Sequence, residues 1–482
     1  MGWKEAAGPV LSRMPGVRRP DGHVPFRRKL AWTAGVLLLY FFLTNITLFG
    51  LAGEAASVYG ETFQALLAAQ RGTVMQLGIG PIVTASIVLQ LLNGADLLGL
   101  DTSEPRDQMI YQGLQKVLVL VMIGLTGLPM VFLGGFLPPG NVFGLPTVGV
   151  QVLMFLQIAI GGVLVLYMDE VVSKWGVGSG IGLFIVAGIS QSLFAGLFYW
   201  GGGQGQMGFV PTWIAVLTGS LQNVPPLLSS AGIQYILFDQ TAGIVALFTT
   251  ALIFVIVVYA ESVRVEIPLS HAQVKGARGR FPVKLIYASV LPMILVRALQ
   301  ANIQFAGRIL NSWTGIPAWV GTYQQGQPTG GLMYFLAPIQ APTQWMWWVS
   351  GPAATHAVWE VLLRVALDLS FMIVGGAIFA VFWVETADMG PDATAQQIKN
   401  SGMQIPGFRK NVGVIEKVME RYIPQVTVLG GALVGLLAVM ANMMGTIGNV
   451  SGTGLLLAIS ITYKLYEEIA EEQLMEMHPM MR

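Results

Sequence analysis

The chain contains no cysteine and few charged residues. Only 11% of its 482 residues are charged, whereas soluble domains carry about 25%. Because 54% of the residues are hydrophobic, this composition indicates a membrane protein. The absence of cysteine excludes a disulfide, a thiolate metal site and a thiol nucleophile.

Sequence signs of catalysis and of ion coupling are also missing. We expect no carboxylate at the middle of a membrane span, since Asp169, Glu170, Glu385 and Glu467 fall at span ends. The four histidines lack metal-ligand spacing, and no phosphate-binding glycine loop is present. The sequence therefore predicts that the protein is not an enzyme and uses no cofactor and no metal.

Apolar runs of about 20 residues, the length that crosses a bilayer, recur along the chain. They predict an all-α multi-pass membrane protein with ten transmembrane helices, at 30–51, 73–93, 114–135, 148–168, 179–200, 241–260, 285–306, 366–385, 426–446 and 452–466. Five spans fall in an N-terminal half, 1–200, and five in a C-terminal half, 241–482, with an external connecting loop at 201–240. Because each half has the same odd number of spans, the two halves would be inserted in opposite orientations, which allows an inverted repeat.

Lysine and arginine predict the orientation, because cytoplasmic segments are enriched in them. With the N-terminus inside, the two tails and the alternate loops hold 22 of the 26 basic residues. Those loops are 94–113, 169–178, 261–284 and 386–425. Arg71, Arg308 and Arg364 are expected outside, and Arg297 lies alone within a span. This asymmetry predicts that both termini are cytoplasmic.

The second predicted span is interrupted. Glu61 to Gln70 are good helix formers, and Arg71-Gly72 ends that short helix. Gly78, Gly80 and Pro81 then loosen the first half of the next helix. Discontinuous spans line binding sites and pathways. The alternative is an external helix followed by an ordinary span with a proline kink, since glycine and proline are common in membrane helices.

Two cytoplasmic loops, 261–284 and 386–425, are strongly basic. Proline and glycine punctuate the first, and its alternating pattern predicts a protruding hairpin. Basic loops of this kind contact either the phosphates of RNA or anionic lipid headgroups. Charge alone does not choose between these two partners.

Several separate stretches carry a specific resemblance. They are LGIGPIVTASIVLQLL at 77–92, EIPLS at 266–270, RGRFPVK at 278–284, LPMILVRALQANIQ at 291–304, IPGFRK at 405–410 and SGTGLLLAISITYKLYEEI at 451–469. In this order they resemble the SecY family, the protein-conducting channel of the Sec translocon, and its archaeal branch in particular. The resemblance extends from the first span to the tenth.

The resemblance implies a central pore closed by a plug helix near 61–70. It places an aliphatic pore ring on Ile79, Val83, Ile181, Ile185, Ile294 and Leu457, with Leu456 as a substitute for the last. Spans two and seven resemble the family's lateral gate, whose polar cluster falls on Thr84, Gln115 and Asn302. The positions that dock a ribosome or another translocation partner fall on Arg278, Arg280 and Arg409.

The resemblance also implies a function and partners. It predicts the pore-forming subunit of a channel that passes unfolded polypeptide across the cell membrane and releases transmembrane segments into lipid. The expected partners are small single-span subunits of the SecE (gamma) and beta types, the ribosome, signal sequences and nascent chains. The alternatives are a secondary transporter of a small solute that uses the broken span, and a scaffold without a pathway. Arg297 departs from the small or uncharged residue that the family has at this position.

Overall fold

The structure is a computed structural model of the full chain. It describes residues 8–9, 11, 13–22, 24–52, 67–94, 97–100, 104–133, 137–140, 144–201, 207–220, 229–238, 243–271, 278–286, 291–315, 317–324, 327–350, 356–387, 389–400, 403–404 and 412–477.

A long helix lies in each of the ten predicted stretches. In chain order these are α1 (Phe26–Thr44), α2 (Gly80–Gly94), α3 (Pro105–Phe132), α4 (Thr147–Trp175), α5 (Gly180–Phe198), α6 (Ile244–Ser262), α7 (Leu291–Thr314), α8 (Val358–Thr386), α9 (Val412–Met444) and α10 (Gly452–Met477). Among the described residues, six segments are long and apolar enough to cross a membrane. They belong to α3, α4, α5, α6, α8 and α9.

The second helix begins seven residues later than predicted. Residues 73–79 form turns, and α2 starts at Gly80 with Pro81 in its first turn, where a missing backbone N–H costs little. The predicted kink inside the helix is therefore wrong, because the break lies in front of it. At 15 residues α2 is about 22 Å long, which is shorter than the hydrocarbon core of about 30 Å.

One hydrophobic core runs through both halves of the sequence. It contains residues of α1 to α10, while a smaller buried cluster that includes Val283, Ala380 and Met419 lies within the C-terminal half. Helix α2 packs against α3 of its own half and also against α7 and α8 of the other half. Helix α10 packs against α5, α6 and α9. The contacts of α2 with α7 and α8, and of α10 with α5, thus cross between the two halves of the chain.

The basic loop before α7 forms the predicted hairpin. Strands β1 (Arg264–His271) and β2 (Arg278–Lys284) pair antiparallel, with Arg264 opposite Lys284. These short strands lie in a connecting loop, and the chain is mostly helical as predicted. A third short strand, Met403–Gln404 of the second basic loop, pairs with the end of β1. The two basic loops therefore share one sheet, which the sequence analysis missed.

The loop 307–365, which was predicted to be external, is partly regular structure. Helix α7 extends to Thr314, a small hairpin joins Thr322–Gln324 to Gln327–Gly330, and α8 starts at Val358. Arg364, expected in this loop, is instead a buried residue of α8. The early start of α8 also moves Asp368 well inside the helix, where its side chain is fully buried. The prediction that spans contain no internal carboxylate is therefore wrong.

The C-terminal end of α10 bridges the two halves of the chain. Glu472 pairs with Lys29 of α1, and Glu467 pairs with Lys284 of β2. Nearby, Glu170 of α4 accepts hydrogen bonds from Lys116 at 3.0 Å and from the backbone of Val17 at 3.1 Å. These contacts hold the N-terminal segment and the tail of α10 against the bundle.

A candidate pore and lateral gate

The segment that leads into α2 is held by its backbone. The amide of Ile79 donates to the carbonyl oxygen of Leu67 at 2.8 Å, and the hydroxyl of Tyr40 donates to the carbonyl oxygen of Ala68 at 3.1 Å. Gly78 adopts φ +52°, and a Cβ placed on it would lie 2.1 Å from the oxygen of Leu67. Only glycine allows this approach, because it lacks a Cβ and tolerates positive φ.

The predicted plug helix falls largely outside the described residues, since 61–66 belong to the part that the structure does not describe. Its last four residues, 67–70, are turn and irregular backbone, so a helix does not continue to Gln70. Leu67, Ala68 and Ala69 are buried against the start of α2. The end of the predicted plug therefore touches the first residue of the predicted pore ring.

The predicted pore-ring residues face the interior of the bundle. Ile79, Ile185 and Leu457 are 0% exposed, and Val83 and Ile294 are 2% exposed. Ile181 is half-buried and packs against the same core that contains the other five. Leu456 is buried as well.

Four helices supply this aliphatic set. Ile79 directly precedes α2, which carries Val83, while α5 carries the pair Ile181 and Ile185. Helices α7 and α10 supply the remaining two. Residues four apart share one helix face, so the two residues of each pair point in one direction. The arrangement can exclude water and ions at a constriction, because a ring of aliphatic side chains dewets.

A polar contact joins α2 to α7. The side-chain amide of Asn302 donates to the hydroxyl oxygen of Thr84 at 3.0 Å. Gln115 of α3 does not take part in this contact and donates instead to Ser86 of α2 at 3.1 Å. The predicted cluster is therefore two separate pairs on α2. The sequence analysis missed Ser86, although a hydroxyl two residues after Thr84 in an apolar helix was a usable signal.

The three predicted docking arginines are only partly described. Arg278 and Arg280 lie in β2, where their backbones are opposite Ser270 and Pro268 of β1. Arg409 falls outside the described residues. The pairing of Met403 with His271 nevertheless places the strand that leads to residues 405–411 beside this hairpin.

Three carboxylates, those of Asp392, Glu416 and Glu420, come within 4.8 Å of one another. Asp392 and Glu420 are exposed, and acidic groups on a surface commonly cluster without an ion. We assign this cluster no ligand.

Comparison with known proteins agrees with this geometry. The SecY family model matches residues 73–466, and the model of the plug domain of Sec61p matches residues 38–72. A protein translocase subunit SecY from Halobacterium salinarum is 72% identical over 100% of this chain and 99% of its own length.

Solved structures are similar over almost the whole chain. One, described as the structure of a protein conducting channel, has a TM-score of 0.80 at 37% identity and covers 98% of each chain. Another, Sec61 in the canine ribosome-channel complex from the endoplasmic reticulum, has a TM-score of 0.77 at 37% identity, also with 98% of each chain covered. The sequence motifs, the family models and the shared fold agree, and this multi-pass membrane protein therefore belongs to the SecY family.

Proposed function

We propose that this chain forms the central pore of the Sec protein translocation channel, and that the buried aliphatic set is its seal. As a SecY-family protein it is a transport channel subunit rather than a catalytic enzyme. The observation that carries the proposal is that five buried aliphatic residues and the half-buried Ile181, from four helices, pack in one core. The alternative of a small-solute transporter gains no support, since the relatives are protein translocases.

The proposed seal suits a substrate of any sequence. Aliphatic side chains offer no hydrogen bond or charge to a passing polypeptide, so the ring selects against ions without selecting a peptide sequence. When no chain is present, the ring dewets and blocks ion leak. The last residues of the predicted plug add a second closure, because Leu67 is bonded to Ile79.

The seal is tested by ion leak. Ile79→Gly combined with Val83→Gly widens the ring, so we expect a higher ion conductance of reconstituted channels in the absence of substrate. The matched control is Leu91→Gly, which truncates an exposed residue of the same helix, 38% exposed. Equal leak in the double variant and the wild-type channel would overturn the assignment of the ring.

The proposed exit into lipid lies between α2 and α7. The contact of Asn302 with Thr84 is a single hydrogen bond, and such bonds between membrane helices average about 0.6 kcal/mol. A gate that is held closed by so weak a bond opens when a signal helix gains a modest amount of binding free energy from the open form. An apolar signal helix that binds the open form better than the closed form shifts the population toward it.

The proposed partners are the ribosome and two small single-span subunits of the SecE (gamma) and beta types. Support for the ribosome comes from the similarity to Sec61 in a ribosome-channel complex and from the basic sheet that joins the two loops. Arginine binds phosphate through bidentate hydrogen bonds, as a docking loop for ribosomal RNA requires.

Docking is tested by charge reversal. We expect Arg409→Glu to weaken both ribosome binding and ribosome-dependent translocation. The control is Lys399→Glu, an exposed basic residue of the same loop. If the two variants bind ribosomes equally well, Arg409 has no docking role.

We place the protein in the cell membrane with both termini in the cytoplasm, on the basic-residue asymmetry. Because the chain has no cysteine, single introduced cysteines report orientation without background. A membrane-impermeant thiol reagent should label Ser220→Cys in intact cells and Glu471→Cys only after lysis. The opposite labelling pattern would invert the topology.

A further inference from the structure

A buried ion pair lies behind the proposed pore ring and has no part in the function described so far. Arg297 of α7 and Asp368 of α8 have side chains that are 2% and 0% exposed. Guanidinium nitrogen Nη1 lies 3.4 Å from carboxylate oxygen Oδ1. Buried charges are costly unless they are paired and hydrogen-bonded, so each residue requires the other.

The pair connects three helices. The Nε of Arg297 donates to the hydroxyl oxygen of Thr453 on α10 at 3.2 Å, and its Nη1 donates to the side-chain oxygen of Gln300 at 2.6 Å. The amide nitrogen of Gln300 in turn donates to Asp368 at 3.2 Å. Helix α7 is thereby bonded to both α8 and α10 at one level of the bundle.

The same network holds an external segment. The second carboxylate oxygen of Asp368 accepts from the amide of Ile339 at 3.3 Å, and Gln300 donates to the carbonyl oxygen of Leu336 at 3.1 Å. One turn away on α8, Arg364 donates to the carbonyl oxygens of Ala337 and Pro338. Within the part of the chain that the structure describes, Arg364 holds the same segment without a hydrogen bond to α7, which makes it a useful comparison.

The ion pair lies close to both proposed functional elements. Arg297 follows Ile294 of the ring by three residues and precedes Asn302 of the gate by five. Thr453 precedes Leu457 of the ring by four residues, which puts them on one face of α10. The position of α7 relative to α8 and α10 therefore sets where Ile294 and Asn302 lie.

We propose that Arg297 and Asp368 are positioning residues that hold α7 against α8 and α10, and so keep the proposed gate closed against weak signal sequences. The proposal rests on the proposed channel function. Removing either charge leaves the other buried without its counter-ion, which displaces α7 and loosens its contact with α2. Removing both charges together leaves apolar groups that pack without this penalty.

The test measures which signal sequences the channel accepts. The full chain, with its partner subunits, replaces the resident channel subunit in cells, and export is measured for reporters whose signal sequences differ in hydrophobicity. We expect Arg297→Met and Asp368→Asn each to raise export of the least hydrophobic reporter by about fivefold or more, the lower range of allosteric couplings. The double variant Arg297→Met/Asp368→Leu should return export toward the wild-type level.

Arg364→Met is the matched control, because it removes a buried cation of α8 that holds the same external segment. This variant should leave unchanged the minimum hydrophobicity of the signal sequence that export requires, even if its thermal unfolding temperature shifts. Thermal unfolding of each purified variant separates loss of fold from loss of gating. Two results would overturn the proposal. One is a single variant that exports the least and the most hydrophobic reporters in the same ratio as the wild type does. The other is a double variant whose export of the least hydrophobic reporter stays as high as that of the single variants. Failure of the wild-type chain to export any reporter would instead contradict the proposed function.

Discussion

Single residues matter most where the backbone is forced into a close approach. Gly78 combines a positive φ with a carbonyl oxygen that occupies the place of a Cβ. It lies between the end of the plug segment and the ring residue Ile79, so strain here acts on both parts of the proposed seal. Most other glycines of the bundle simply allow helices to approach, as Gly431 and Gly376 do between α8 and α9.

Gly78→Ala should therefore destabilise the closed channel. A residue held in a sparsely populated conformation costs about 1–3 kcal/mol, and the contact with Leu67 adds to that cost. We expect a lower thermal unfolding temperature and a higher ion leak in reconstituted channels. Gly124→Ala is the control, since a Cβ at this position of α3 meets nothing within 4 Å. It should leave the leak unchanged, and an identical response of both variants would contradict the assignment.

At the scale of secondary-structure elements, α2 and α7 carry most of the functional consequences. Helix α2 is short, begins at a break and contacts both halves of the bundle. Helix α7 is held on one side by the buried ion pair and on the other by one hydrogen bond to α2. The hydrogen bond to α2 is the weaker of these two attachments, so we expect α7 to separate from α2 when the gate opens.

Asn302→Leu should alter the requirement for signal-sequence hydrophobicity. Thr84 keeps its bond to the carbonyl oxygen of Gly80, so the substitution removes only the bond between helices. A change of about 0.6 kcal/mol corresponds to a shift of about threefold in the gate equilibrium. The measurement is export of reporters with graded signal sequences. The control is Gln115→Leu, which breaks the bond between α3 and Ser86. It should not change the signal-sequence hydrophobicity that export requires. A change equal to that of Asn302→Leu would argue against the gate.

For the whole molecule, the C-terminal end of α10 connects the two halves through ion pairs. Its glutamates pair with Lys29 of the N-terminal half and with Lys284 of the C-terminal half. These side chains are 20–37% exposed, so each pair contributes about 0–1 kcal/mol and is screened by salt. Such contacts guide how the two halves move without locking them.

Glu467→Gln combined with Glu472→Gln should lower stability by no more than about 2 kcal/mol, and the loss should shrink as salt concentration rises. Thermal unfolding at low and high salt measures both effects. Glu471→Gln is the control, because this exposed neighbour makes no ion pair within the described residues. A loss of stability that is independent of salt would mean that the glutamates act through packing.

The positions of the helices and of the first basic hairpin followed from the sequence, because hydrophobic runs and turn residues are local signals. Helix ends were less well predicted. Proline 81 indicates an irregular backbone, yet only the docking of residues 67–69 decides that the irregularity ends before Gly80. Similarly, α8 begins at Val358, eight residues before the predicted start at 366, and the charged residues Arg364 and Asp368 of its first half are buried against other elements.

The sequence by itself determined the membrane class, the approximate ten helical stretches and the motifs of the SecY family. Only the tertiary structure decided which polar groups meet. Asp368 and Arg297 are 71 residues apart, and Thr84 and Asn302 are 218 apart. No local pattern specifies such pairs, because the energy that selects them arises only when packing removes both partners from water.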